Sequence, residues 1–180
     1  MYAIDALLTW TKCLNSDTVQ SSKYKKENGM QPIIMRIARC IVVRSGRVLL
    51  VQRLPTTSWF PSLWEFPGGK QDTGQSAGVT FRRELFEETR LKVTWVQKRY
   101  LVTYGLRRKG MRHKNRNLRA VATVVVAHAN GNVELSDENA GFRWIPVSEL
   151  FSERVLRHVT PITRVAARSL QREIRAMTKQ

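Results

Sequence analysis

GKQDTGQSAGVTFRRELFEETRL, residues 69–91, carries its information in the placement of its charges more than in its apolar pattern. The spacing predicts a helix from about Ser76 to Thr89. At about 100° per residue, Glu84, Glu87 and Glu88 share one arc about 100° wide, flanked by Phe81 and Leu85. Three carboxylates on one arc repel one another, and the cluster becomes tolerable when it holds a hard cation such as Mg²⁺, which takes oxygen ligands and keeps waters that can be activated. A solvated acidic face is the ordinary alternative. Two features argue against it: the chain is otherwise short of acid, with 14 Asp and Glu against 31 Lys and Arg, and the cluster follows a Gly-Gly pair at a short interval.

Upstream, Leu63-Trp64-Glu65-Phe66 is strand-like, and Pro67-Gly68-Gly69 predicts a sharp backbone turn that bulkier residues resist. Before it, RIARCIVVR (36–44) and RVLLVQR (47–53) are β-branched runs joined by Ser45-Gly46, which predicts a hairpin. LPTTSWFPS, residues 54–62, is a loop. Downstream, strands are expected at Val93–Tyr104, Ala120–His128 and Gly141–Ile145, then a helix start at Pro146–Phe151. The chain ends in an amphipathic helix with Thr160 as N-cap and Pro161 in its first turn. Ile162, Val165, Ala166, Leu170, Ile174 and Met177 mark its apolar face, and Arg164, Arg168, Arg172, Arg175 and Lys179 its basic one. Residues 1–30 are expected to be an extension with at most one short helix, and residues 31–180 one domain.

The net charge of +17 draws polyanions, nucleotides and RNA among them, without choosing between them. The most apolar stretch, Val121–Ala129, is far shorter than the roughly 18 residues of a membrane span. Cys13 and Cys40 lack metal-ligand spacing, and the first 22 residues have neither the arginines of a transit peptide nor the pattern of a secretory signal. A cytoplasmic, reducing setting is the expectation.

The same stretch resembles the signature of the Nudix hydrolases: Gly, five residues, Glu, seven residues, Arg-Glu, an aliphatic, any residue, Glu-Glu, any residue, Gly, an aliphatic. Gly69, Arg83, Glu84, Leu85, Glu87, Glu88 and Leu91 match at the right spacing. WEFPGG at 64–69 is similar to the strand that enters this motif in the MutT-type branch, where a carboxylate also precedes a late Trp by six residues, as Glu138 precedes Trp144. There are two departures. Gln75 stands where the signature has its first Glu, and Arg90 where it has the Gly that ends the helix in a left-handed conformation.

The resemblance implies an α/β Nudix fold, a mixed β-sheet sandwiched between helices. It implies Mg²⁺, with Mn²⁺ as the alternative ion, held by Glu84 and Glu88, by Glu87 as a third ligand, and by the Gly68 carbonyl. Arg83 then orients a catalytic carboxylate, and either Glu84 or Glu138 takes the proton of the attacking water. Arg53, Gly68, Gly69 and Lys70 are the expected phosphate contacts, while Trp64 is expected in the core. The implied reaction cleaves a phosphoanhydride of a nucleoside diphosphate derivative, first of all a nucleoside triphosphate to monophosphate and pyrophosphate. Removal of pyrophosphate from RNA 5′ ends is an alternative, and so is a catalytically degenerate domain serving as a binding subunit of an RNA-protein assembly. The basic segment 107–119, with Arg107, Arg108, Lys109, Arg112, Lys114, Arg116 and Arg119, is the candidate RNA contact. Solvated loop charge is the commoner origin of such a run, and the segment has no aromatic to stack a base.

Overall fold

The computed structural model of the protein describes residues 33–106 and 118–177. The extension at 1–30 and the basic residues from Arg107 to Arg116 lie outside the described residues. The expected hairpin is formed by β1 (Ile33–Arg44) and β2 (Arg47–Arg53), paired antiparallel at Val43↔Val48 and Arg44↔Arg47. Ser45 and Gly46 both take positive φ, at 47° and 71°, the backbone twist that suits a two-residue hairpin loop.

β1 also pairs in parallel with β6 (Leu118–Asn130) from Ile33 to Val42, and β6 pairs antiparallel with β5 (Lys92–Leu106). Arg119 therefore stands on a strand, at the end of a segment expected to be loop throughout. β3 (Trp64–Glu65) and β7 (Asn139–Pro146) both pair with β2, giving the order β3-β2-β1-β6-β5.

The chain bends at Pro67 as expected, while the Gly-Gly pair beyond it is extended: β4 (Gly68–Lys70) runs antiparallel along β1, with Arg39 opposite Gly68. Glycine is required there by close approach. A β-carbon on Gly68 would run into the Ala38 carbonyl and stand 2.8 Å from Arg39 Cα, and φ is +134°.

Alternation along β1 builds two cores, because successive side chains point to opposite faces. Ile37, Ile41 and Val43 pack with Ile162, Ala166 and Leu170 of α4 (Pro161–Met177), while Ala38, Cys40 and Val42 pack with Ala77, Phe81 and Leu85 of α1 (Ala77–Thr89). The sheet is thus covered by a helix on each face. Cys40 is fully buried, its thiol pushed up to about 12 by loss of solvent, so it behaves as a small apolar group. Arg168, Arg172 and Arg175 form the exposed side of α4 as its period predicts. Between β7 and α4 lie α2 (Val147–Leu150) and a single-turn helix with no sequence precedent, α3 (Glu153–Leu156), capped by the Ser152 hydroxyl, which accepts from the Val155 N–H. Among the described residues no helix is long and apolar enough to cross a membrane.

Candidate active site

The helix that carries the acidic arc is fixed at both ends. The Ser76 hydroxyl accepts from the Val79 N–H at 3.2 Å, and at the far end Arg90 is left-handed (φ 60°) with its N–H returned to the Phe86 carbonyl at 2.8 Å. The departure from Gly at position 90 thus leaves the cap geometry in place.

With Phe81 and Leu85 anchored in the core, Glu84 and Glu88, one turn apart, face β4. Glu88 is only 7% exposed, and its Oε2 accepts from the Gly68 N–H at 2.8 Å. The Glu84 carboxyl lies directly over Gly69. Glu87 turns outward: its Oε2 takes Arg83 Nη1 at 2.7 Å, and it is not among the residues that line the pocket. Arg83 also reaches Glu84 at 2.8 Å and Asp72 at 3.4 Å, so Asp72 supplies a carboxylate to the arginine that Gln75 cannot. Gln75 itself braces the turn into the helix, its Oε1 accepting from the Thr80 hydroxyl at 3.3 Å.

Glu84 and Glu88 open onto a cavity of about 350 Å³. Glu65 and Glu138 join them there, as do Arg39, Arg53 and Lys70. Glu138 comes from the loop before β7 and is exposed on the rim, where it also borders a second hollow with Arg53, Glu88 and Asn139. The rest of the lining is apolar, formed by Met35, Ile37, Trp59, Phe60 and Ile162. Trp59 and Phe60 stand with ring centroids 6.0 Å apart, on a loop that holds Phe60 and Ser62 at positive φ, a strain typical of ligand-contacting segments. Trp64 is partly buried against the core, with Arg143 over its ring.

Among the charged and aromatic participants, Arg39, Glu65, Trp59 and Phe60 escaped the sequence reading. Arg39 and Glu65 form a buried pair at 2.9 Å, and Arg53 closes on the other Glu65 oxygen at 2.7 Å while its Nε donates to the Trp59 carbonyl at 2.8 Å. The signal for the pair was a charge inside an apolar run, IARCIVV for one and WEF for the other, because charged residues are rarely buried without a partner. Nothing in sequence marked Trp59, whose place in the cavity depends on the path of its loop.

Burial dominates the electrostatics. It pushes the Glu88 carboxyl up to about 8, against the opposing pull of Arg39 and of the Gly68 N–H bond. It raises Glu84 as well, against the pull of Arg83. Carboxylates held in this way favour a nearby cation. The two carboxylates and the Gly68 carbonyl make an all-oxygen donor set, which suits Mg²⁺ or Mn²⁺: such ions commonly take one or two protein carboxylates and fill their shell with water and substrate phosphate. Among the described residues no three His, Cys, Asp or Glu side chains stand together as a ready cage.

The family model described as NUDIX domain matches residues 34–165. The CTP pyrophosphohydrolase of Escherichia coli strain K12 is 38% identical over 61 residues, covering 34% of this chain and 44% of that protein, so the alignment spans less than half the length of this relative. The RNA pyrophosphohydrolase of Shewanella pealeana is 29% identical over 126 residues, covering 61% of this chain and 70% of that one. Among solved structures, the MutT protein of Methanosarcina mazei Go1 superposes with a TM-score of 0.65 at 20% identity, covering 80% of this chain and 97% of that chain. The MutT NUDIX hydrolase of Burkholderia pseudomallei gives 0.58 at 22% identity, with 75% and 96% covered. At these identities the structures establish the fold.

Proposed function

The chain belongs to the NUDIX domain family, and from that premise we propose that it is a hydrolase of phosphoanhydride bonds that converts a nucleoside triphosphate to the monophosphate and pyrophosphate. The observation that carries this reading is the mixed lining of a single cavity. Acidic and basic side chains share its wall with two aromatic rings, within a volume typical of small-molecule pockets, about 300–1,000 Å³. A mononucleotide has the matching polarity, with a polyphosphate tail and a flat base.

In this reading Arg53 and Lys70 hold phosphate oxygens, and Trp59 and Phe60 hold the base. A water oxygen adds to phosphorus, its proton passes to Glu84 or Glu138, and the bridging oxygen departs with the leaving phosphate. Arg83, tied to Glu84, keeps that carboxylate aimed. Glu84, Glu88 and the Gly68 carbonyl are the candidate holders of a Mg²⁺ or Mn²⁺ ion, which when bound supplies charge neutralisation and a more acidic water.

The rival substrate is triphosphorylated RNA. The net charge of +17 and the Shewanella RNA pyrophosphohydrolase among the relatives favour it. Incubation with Mg²⁺ and a panel of nucleoside triphosphates, nucleotide sugars, ADP-ribose, dinucleoside polyphosphates and triphosphorylated RNA separates the two, with pyrophosphate and orthophosphate assayed apart. The expected result is highest kcat/KM on a nucleoside or deoxynucleoside triphosphate, with pyrophosphate as product. Faster release from RNA than from every mononucleotide would replace this assignment with the rival.

A further inference from the structure

Arg39 is a cation placed where the candidate ion-binding carbonyl is. The register of β1 and β4 sets Arg39 opposite Gly68, and its Nη1 donates to the Gly68 carbonyl and, at 3.0 Å, to that of Phe66. Nη2 meets Glu65 at 2.9 Å, and the residue is only 8% exposed. Three acceptors on one planar fork hold the guanidinium over this carbonyl while no other cation competes for it. Of the charges that favour an ionised Glu88, Arg39 is the foremost, and it pulls on Glu84 too.

We propose that Arg39 is a resident counter-ion of the acidic pocket which competes with the divalent cation, so that the ion binds only as the guanidinium gives up the Gly68 carbonyl. The inference rests on the reading of Glu84, Glu88 and Gly68 as the ion's donors. Two cations drawn to the same oxygens repel at short range in a poorly solvated pocket. Glu65 gives it an alternative anchor: while the Nη2 contact holds, Nη1 is able to turn from Gly68 toward a substrate phosphate, an acceptor that arrives with the metal. Ion binding and substrate binding are thereby coupled, with weak affinity for the ion alone.

The test is Mn²⁺ titration of the full chain without nucleotide, followed by the electron paramagnetic resonance of free Mn²⁺ and by calorimetry. Arg39→Met removes the charge at similar volume and leaves Glu65 held by Arg53. Arg39→Met with Glu65→Gln neutralises both partners and serves where the single variant folds poorly. Arg44→Met, on the same strand but bonded to the Ala129 carbonyl, controls for the general loss of one positive charge.

Mn²⁺ should bind at least about tenfold more tightly to the Arg39 variants than to the parent or to Arg44→Met, and added nucleoside triphosphate should strengthen Mn²⁺ binding less in them than in the parent. Affinity equal to or weaker than that of Arg44→Met overturns the role of Arg39. Glu84→Gln separates the underlying reading: if it leaves Mn²⁺ affinity unchanged in both the parent and the Arg39→Met background, the ion does not sit in this pocket, and the donor assignment fails on its own account.

Discussion

The carboxyl group of Glu84 covers Gly69 so closely that a β-carbon on that glycine would have all three carboxyl heavy atoms within 2.6 Å. The neighbouring Gly68 is crowded by backbone instead, by the Ala38 carbonyl and Arg39 Cα. Two adjacent glycines are thus required for different reasons, one by the fold and one by the site.

Alanine at each position should separate the two requirements. Gly68→Ala meets rigid backbone and an unfavourable φ, and should cost about 3 kcal/mol or more of stability. Gly69→Ala meets only the end of a flexible side chain, so stability should fall by about 1 kcal/mol or less. Displacing the Glu84 carboxyl, however, should lower turnover on the order of a hundredfold. Urea unfolding and steady-state kinetics on both variants check this. Equal stability loss at the two positions would show that Glu84 is as rigid as the backbone.

Glu88 connects the site to the pH dependence of stability. Its folded pKa of about 8 lies above the ordinary carboxylate value of 4.5, so between those limits the folded protein holds a proton that the unfolded chain releases. The stabilisation is complete below about pH 4.5 and is lost as pH rises toward 8; Glu84 acts in the same direction. Cys40 contributes a similar decline only above about pH 9. In chelator, urea unfolding from about pH 5 to about pH 8 should therefore show falling stability, and Glu88→Gln should flatten the fall while lowering Mg²⁺-dependent turnover at least about a hundredfold. A metal-free stability that is flat over this range would contradict the burial of Glu88.

How far the chain could be read in advance follows from the range of each signal. The α1 helix, the β1–β2 hairpin and the face of α4 were legible because period and turn chemistry are local properties. The bend at Pro67 was legible, but the strand contact of the Gly-Gly pair was not, because glycine permits both a turn and a close strand contact, and only pairing with β1 decides between them. Glu87 illustrates a second limit: helical spacing puts it on the same arc as Glu84 and Glu88, but the i,i+4 contact with Arg83 at 2.7 Å draws its side chain out of the pocket. The Arg39, Glu65 and Arg53 group joins residues from three strands, and no window of sequence contains it.

The left-handed Arg90 carries strain that glycine would relieve, worth about 1 kcal/mol, against which stands its exposed stacking over Phe86, worth about 0.5 kcal/mol. Arg90→Gly should raise Tm by about 2 °C, and Arg90→Ala, which loses the stacking without relieving φ, should lower it. Differential scanning calorimetry orders the three proteins as Gly above Arg above Ala. The order Arg above Gly would mean that the cap is held by contacts stronger than these.

Gln75 braces the helix entrance and is not among the pocket-lining residues, and Arg83 already holds three carboxylates. Gln75→Glu should consequently leave kcat/KM within about threefold. A gain of several orders of magnitude would instead mark the parent chain as a degenerate binding domain.

Trp59 offers the sharpest test of the aromatic part of the cavity wall. Stacking of a base on an aromatic ring contributes about 1–3 kcal/mol, which corresponds to roughly 5- to 150-fold in affinity. The contact is made equally in the ground state and the transition state, because the base takes no part in the bond changes at phosphorus. Trp59→Ala should then raise KM for nucleoside triphosphates at least about tenfold while kcat stays within about threefold. Trp59→Phe, which keeps a stacking face, should recover most of the loss. Inorganic tripolyphosphate carries the charges without a base, so it should inhibit the parent and Trp59→Ala with the same constant. Since the Arg53 Nε bond goes to the Trp59 carbonyl, Arg53 keeps that anchor in every variant. A fall in kcat, or weaker tripolyphosphate inhibition, would show that the loop shapes the phosphate site itself, and an unchanged KM would place the base elsewhere.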